Sequence, residues 1–215
     1  MARLFGIIKN MLGDHPEKAP ITPLGLKSGA TVVIDSVLPL LLKEHTPIEL
    51  FSQEEIWSVG TVDLGQSMYL KRFYFDDEDY WLQVLTHGEQ DANGEDIILF
   101  VYDECVSIAS EDELKRLAGP DSDIGLPEYE YDGEIFYRQW GTEDGQTELV
   151  PLAENVSSPE ERYHVNHLSM LYARDVELTE RREFLLFSVE EDEDGNISLS
   201  TSRGITLMTS DIQVI

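Results

Sequence analysis

Short apolar runs, rich in β-branched and aromatic residues, follow one another along the chain from about Thr31. Runs of this length and composition are typical of β-strands, because branched and aromatic side chains pack well on a pleated surface. Polar clusters separate the runs and indicate turns between them. Four predicted strands are 56–64, 68–75, 80–86 and 97–102.

Tight turns are indicated where Asn-Gly or Asp-Gly stands between apolar runs, because both members of such a pair tolerate a positive φ. Pairs of this kind occupy 93–94, 132–133, 144–145 and 194–195. We expect the last pair to join residues 183–189 to residues 197–201 in a β-hairpin.

Helix signals are fewer than strand signals. Ser110 fits the N-cap of a helix over 110–118, with Glu113 at the capping-box position and Gly119 just beyond its end. Ser158-Pro159 fits a second helix start, although the residues after it are ambiguous between helix and strand. The pattern predicts a mainly β fold, an antiparallel sandwich or barrel with a few short helices. An α+β fold is the alternative.

The amino-terminal segment predicts an element of its own. Apolar residues recur there at helical spacing, at Leu4, Phe5, Ile8, Met11 and Leu12. We expect residues 1–20 to form an amphipathic helix with a tether, ahead of a single β-rich domain over 21–215. That domain could divide into two lobes near 119–127 or 151–159. The stripe would dock on the protein's own core, in the groove of a partner protein or on a membrane surface, and a partner protein is favoured over a membrane.

The charge of the chain limits its partners. It has 43 acidic and 15 basic residues, which gives a formal net charge of −28, all of it on residues 51–215. A field of this sign repels phosphate backbones and anionic lipid, which excludes nucleic-acid binding and leaves membrane contact peripheral or through a partner. It attracts cations and basic protein surfaces. The alternative is that the acidic residues only keep the protein soluble.

The cellular location is indicated by the number of cysteines and by the length of the apolar runs. No apolar run approaches the roughly 20 residues that a membrane-spanning helix needs. The start of the chain lacks the cleavage site of a signal peptide. The single cysteine, Cys105, fits a reducing compartment. We therefore expect a cytoplasmic protein.

No catalytic or cofactor-binding signature is found. Phosphate-binding glycine loops, nucleophile elbows and zinc-protease motifs are missing from the sequence. We expect no cofactor, no resident metal and, on balance, no enzymatic activity. His164 and His167 would share a face on a helix, as metal ligands do, but would face opposite ways on a strand.

One acidic turn resembles a calcium loop. Glu190, Asp192 and Asp194 fall at positions 1, 3 and 5 of such a loop, but Thr201 occupies position 12, where a glutamate should close the cage. The flanking runs are also predicted strands rather than helices. A plain hairpin turn is the favoured interpretation, and weak cation binding is the alternative.

Two functional hypotheses follow from these features. The first is a non-enzymatic interaction protein that offers its acidic surface to a basic partner and docks residues 4–12 in a groove. The second is a binder of, or an enzyme acting on, a cationic small molecule such as a polyamine. A pocket that combines clustered acids with two or more of four aromatic residues would favour the second. These residues are Trp57, Trp81, Tyr131 and Trp140.

Four segments together resemble an uncharacterised bacterial family of unknown function. They are ARLFGIIKNMLG, TPLGLKSGATVVID, FYFDDEDYWLQVL and EFLLFSVEEDEDGNISLSTSRGI. Genes of that family often lie near those for phage-shock-type membrane-stress proteins, small membrane proteins and an enzyme similar to glutathionylspermidine synthases. The resemblance supplies no catalytic residues. It implies an accessory role in an envelope-associated or membrane-stress system.

Overall fold

The computed structural model describes residues 24–87, 97–178, 180–191 and 195–215. The predicted docking helix at 4–12 and the predicted turn at 93–94 lie outside the described residues.

Within the described residues, twelve strands and two helices are present. The strands are β1 Thr31–Ile34, β2 Gln53–Gly65, β3 Met68–Phe75, β4 Tyr80–His87, β5 Ile97–Ile108, β6 Glu128–Tyr131, β7 Glu134–Arg138, β8 Val150–Ser157, β9 Arg162–Asp175, β10 Arg182–Glu191, β11 Ile197–Leu207 and β12 Ile212–Val214. The helices are α1 Leu38–Leu42 and α2 Glu111–Ala118, and a 3₁₀ turn spans Thr209–Asp211.

Eight antiparallel strands close into a barrel, in the order β2-β3-β4-β5-β11-β10-β9-β8. Strand β8 completes the circle because it pairs with β9 on one side and with β2 on the other. The predicted fold class, a mainly β antiparallel barrel with a few short helices, is confirmed. Closure also removes the unpaired edges that an open sheet would expose.

The other four strands extend the sheet beyond the barrel. Strand β1 pairs with the first residues of β2, and β12 pairs with β1. On the far side, β7 pairs with the last residues of β9, and β6 pairs with β7. Residues 119–127 connect α2 to β6, and residues 151–157 belong to β8 itself.

Side chains alternate between the two faces of each barrel strand, and the outer faces carry much of the apolar core. One buried cluster joins Phe73 and Leu82 of the barrel to Val32 of β1 and Leu38 of α1. A second cluster packs the outer faces of β9 and β10 against α2 and β7. Because these outer faces are covered, the inner faces are free to carry polar residues.

The local predictions met different outcomes. The 110–118 helix is confirmed: Ser110 Oγ accepts the Glu113 N–H at 3.2 Å. The hairpin between β10 and β11 is confirmed, as is the Asp132-Gly133 turn between β6 and β7. The Asp144-Gly145 pair, where a tight turn between paired strands was indicated, does not form a hairpin, because β7 and β8 on either side of it do not pair with each other. The helix start at Ser158-Pro159 was also wrong, since these residues turn directly into β9.

Candidate functional site

A cavity of about 330 Å³ lies inside the barrel and is lined by the inner faces of its strands. Its buried part includes Arg72 and Trp81, which are 3% and 2% exposed. Its mouth includes three partly exposed aromatic residues, Trp57, Tyr102 and Tyr163. Several serines, among them Ser188, Ser200 and Ser202, line the β10–β11 wall.

A buried ion pair crosses the barrel interior from β3 to β8. Arg72 Nη1 donates to Glu154 Oε2 at 2.7 Å, and Arg72 Nε donates to Gln83 Oε1 at 3.3 Å. The Tyr74 hydroxyl donates to the other carboxylate oxygen of Glu154 at 2.9 Å. Gly60 on β2 makes room for this carboxylate, because a Cβ there would lie 1.6 Å from Glu154 Oε1.

His167 extends the ion pair towards the mouth of the cavity. Its Nε2 lies 3.0 Å from Glu154 Oε2, and its Nδ1 lies 3.2 Å from Glu190 Oε1. Ser188 Oγ is also 3.2 Å from Nδ1. A carboxylate only accepts hydrogen bonds, so satisfying both carboxylates requires both ring nitrogens to carry hydrogen. The arrangement favours the imidazolium form of His167.

The charges within this network reinforce one another. Burial would raise the pKa of Glu154, but Arg72 and the hydrogen bond from His167 outweigh it and hold that pKa below its usual value. Burial would likewise lower the pKa of His167, but the hydrogen bonds with Glu154 and Glu190 raise it. Both shifts favour the ionised forms. The interior therefore contains two positive groups beside one fully buried carboxylate.

Ser188, His167 and Glu154 are connected in the order of a Ser-His-acid triad, but their chemistry is different. A triad histidine must be neutral to accept the serine proton. Here two carboxylates favour the protonated histidine, and the ring nitrogen near Ser188 also faces Glu190. The arrangement is better suited to binding and orientation than to nucleophilic attack.

Aromatic side chains give the cavity its shape. Trp81 on β4 is covered from both neighbouring strands: the Arg72 guanidinium lies 4.9 Å from its ring, and Phe100 stacks on it at 4.3 Å. Its Nε1 is buried and has no hydrogen-bond partner in the described part of the chain. Tyr80 joins Trp57, Tyr102 and Tyr163 in the lining nearer the mouth.

The four aromatic residues singled out in the sequence divide into two groups. Trp57 and Trp81 both line the cavity. Tyr131 lies elsewhere, where its hydroxyl donates to Asp103 at 2.6 Å, and Trp140 packs at the edge of three apolar clusters.

The predicted polar sites are only partly brought together. His164 and His167 lie on strand β9, so His164 is exposed while His167 is buried in the interior. Glu190 lines the cavity, whereas Asp192 and Asp194 of the possible cation site lie outside the described residues. Cys105 is exposed. No cluster of three or more potential metal ligands is found among the residues described.

Sequence reasoning missed Arg72 and Glu154, although a weak signal was present. In the β8 sequence, Glu154 takes the same alternating phase as Leu152 and Val156, both of which are buried. A carboxylate in the apolar phase of a strand indicates a buried partner. Its partner could not be named, since Arg72 lies 82 residues away in the chain.

Comparison with known proteins assigns the family. The profile of a family described as "Protein of unknown function (DUF2491)" matches residues 3–213. The chain belongs to this family. It is also similar to the uncharacterized protein YjfK of Escherichia coli (strain K12), with 28% identity over 193 residues and 87% of each chain covered. No solved structure matches the chain.

The family assignment confirms the resemblance to an uncharacterised family and brings no activity with it. No helix in the described part of this DUF2491 protein is long and apolar enough to cross a membrane. Its function must therefore be argued from the cavity.

Proposed function

We propose that this DUF2491 protein is a non-enzymatic binding protein that holds the cationic group of a small molecule at the mouth of its barrel. The observation that carries the proposal is the combination of aromatic rings and carboxylates around an internal cavity of about 330 Å³. This volume falls in the usual range for small-molecule sites.

The mouth has the chemistry that recognises a cation. Trp57, Tyr102 and Tyr163 are each more than a third exposed, and clustered exposed aromatic rings indicate a binding surface. The face of an aromatic ring attracts ammonium groups, and the attraction strengthens when water is excluded. Two carboxylates, Glu78 and Glu190, stand in the same lining.

Two further features support a cationic ligand. Glu78 lies in the β3–β4 turn and places a second carboxylate in the lining beside Glu190. The net charge of −28 also raises the local concentration of cations around the whole molecule.

The protein-binding hypothesis stays a prediction. Its docking segment, residues 4–12, lies outside the described residues, and the acidic surface alone does not specify a partner. We propose that such a binding protein acts in the cytoplasm, as an accessory protein of a membrane-stress system. Its support is the family resemblance and the single, unpaired Cys105.

Titration calorimetry of the full chain with 1,5-diaminopentane tests the proposal. We expect saturable one-to-one binding that weakens about tenfold in Glu190→Gln, because a charged hydrogen-bond partner is lost. The matched control is Glu128→Gln, an exposed acid of β6 outside the cavity lining. It removes the same charge and should leave the affinity unchanged.

The control separates site binding from general attraction to an acidic protein. Equal weakening by both substitutions would show that the diamine is only a counterion, and the proposal would fail. Absence of saturable heat would have the same meaning.

A further inference from the structure

The two ends of the cavity differ in charge. At the mouth, Glu78 and Glu190 supply only carboxylates. In the buried part, the guanidinium of Arg72 lies against Glu154, and His167 links this pair to Glu190, so that the positive and negative groups of the network balance. A ligand that was positive throughout would place a like charge beside Arg72, which is unfavourable where water is excluded.

The buried part also contains one hydrogen-bond donor that the protein leaves unused. Trp81 Nε1 is buried in the cavity lining and has no partner among the described residues. Ser58 and Ser202 line the same cavity and are less than 6% exposed. Because buried polar groups are normally satisfied, the indole N–H points to an acceptor that the ligand supplies.

The guanidinium of Arg72 lies in the same part of the cavity. Its Nε donates to Gln83 and its Nη1 to Glu154, and Tyr74 is a further hydrogen-bond partner of the guanidinium. A guanidinium presents its donors in a planar fork that suits a carboxylate. A carboxylate on the ligand would be attracted to this group.

We propose that the ligand is a zwitterion of the amino-carboxylate class, with its ammonium group at the aromatic mouth and its carboxylate against Arg72, Ser58 and Ser202. This inference rests on the proposed function, which requires only the cationic group. It adds the polarity of the ligand and its direction in the barrel.

Calorimetry with matched ligands tests the inference. We compare 5-aminopentanoate with 1,5-diaminopentane, and 8-aminooctanoate with 1,8-diaminooctane, each pair differing only in one terminal group. For at least one chain length we expect the amino-carboxylate to bind about tenfold more tightly than its diamine, the effect of one added charge-assisted hydrogen bond.

Substitution of one serine then locates the carboxylate. Ser202→Ala should weaken amino-carboxylate binding several-fold and leave diamine binding unchanged. Ser107→Ala, at an exposed position of β5 outside the cavity lining, is the matched control and should change neither.

The outcomes distinguish the two proposals. Diamines that bind as tightly as the amino-carboxylates, or a Ser202→Ala substitution without effect, would overturn the zwitterion and leave the proposed function standing. Failure of both ligand classes to give saturable binding would overturn both.

Discussion

At the scale of single residues, the barrel interior depends on charges that stabilise one another. His167 is faced by Glu154 of β8, by Glu190 and Ser188 of β10, and by the charge of Arg72 on β3. The two carboxylates outweigh the repulsion from the guanidinium and keep the ring protonated. Removing one charged side chain of this buried network leaves an opposite charge unpaired in the interior, which lowers the free energy of unfolding.

The stability of the protein should therefore depend on pH through His167. Since the pKa of His167 is raised by folding, its contribution is complete below its ordinary value of about 6.5 and is lost as the pH rises through the raised pKa. The loss amounts to about 1.4 kcal/mol for each unit of the increase. Urea unfolding of the wild type and of His167→Gln at several pH values measures it.

We expect the stability advantage of the wild type over His167→Gln to shrink as the pH rises above about 6.5. Comparing the two proteins at each pH cancels the titration of other groups. An advantage that stayed constant or grew with pH would contradict the account of His167 as a buried imidazolium.

The contacts of single residues were also the features that the sequence predicted least well. Glu190 and Trp57 were singled out for their chemistry, and both lie at the cavity mouth. Arg72 and Glu154 were not, because their pairing requires β3, β2 and β8 to be neighbours in the closed barrel. A residue's type and its local spacing carry no information about such distant contacts.

At the scale of elements, the turns and strands that depend on local sequence were predicted well. The β10–β11 hairpin forms because runs of apolar residues stand on either side of a short polar turn. Helix α2 forms because Ser110 caps its first turn. The Asp144-Gly145 turn shows the limit of this reasoning, since β8 after it pairs with β9 and β2 instead of returning along β7.

Gly60 lies at the junction between β2 and β8 that closes the barrel. Gly60 pairs with Val156 across this junction, and its missing side chain leaves the space that Glu154 occupies. We expect Gly60→Ala to displace the carboxylate from Arg72 and to lower the free energy of unfolding by about 3–5 kcal/mol, the effect of breaking a buried ion pair. Urea unfolding measures the change.

Gly145→Ala provides the matched control for this substitution. Gly145 has no atom within 4 Å of the position of an added Cβ, and its backbone is not left-handed. The same change should therefore shift stability by less than about 1 kcal/mol. Equal effects of the two substitutions would show that the Gly60 space is not needed for closure.

At the scale of the whole molecule, the apolar core lies largely outside the barrel. Helix α1 with β1 and β12 covers one part of the outer surface, and α2 with β6 and β7 covers another. Because these outer clusters supply much of the buried apolar surface, the interior need not be wholly apolar and holds an ion-pair network beside a cavity. The pattern of apolar runs predicted the β-rich class, but an outer core around an interior that combines polar groups with smaller apolar clusters required the topology.

The most direct test of the central claim uses the three tryptophans of the chain. Trp57 and Trp81 line the cavity, and Trp140 lies outside its lining. Indole N–H resonances of the nitrogen-15-labelled protein, assigned by single Trp→Phe substitutions, are followed while 1,5-diaminopentane is added. We predict saturable shifts for Trp57 and Trp81, with Trp140 unmoved. Unchanged resonances of Trp57 and Trp81, or equal unsaturable shifts of all three, would contradict ligand binding in the barrel.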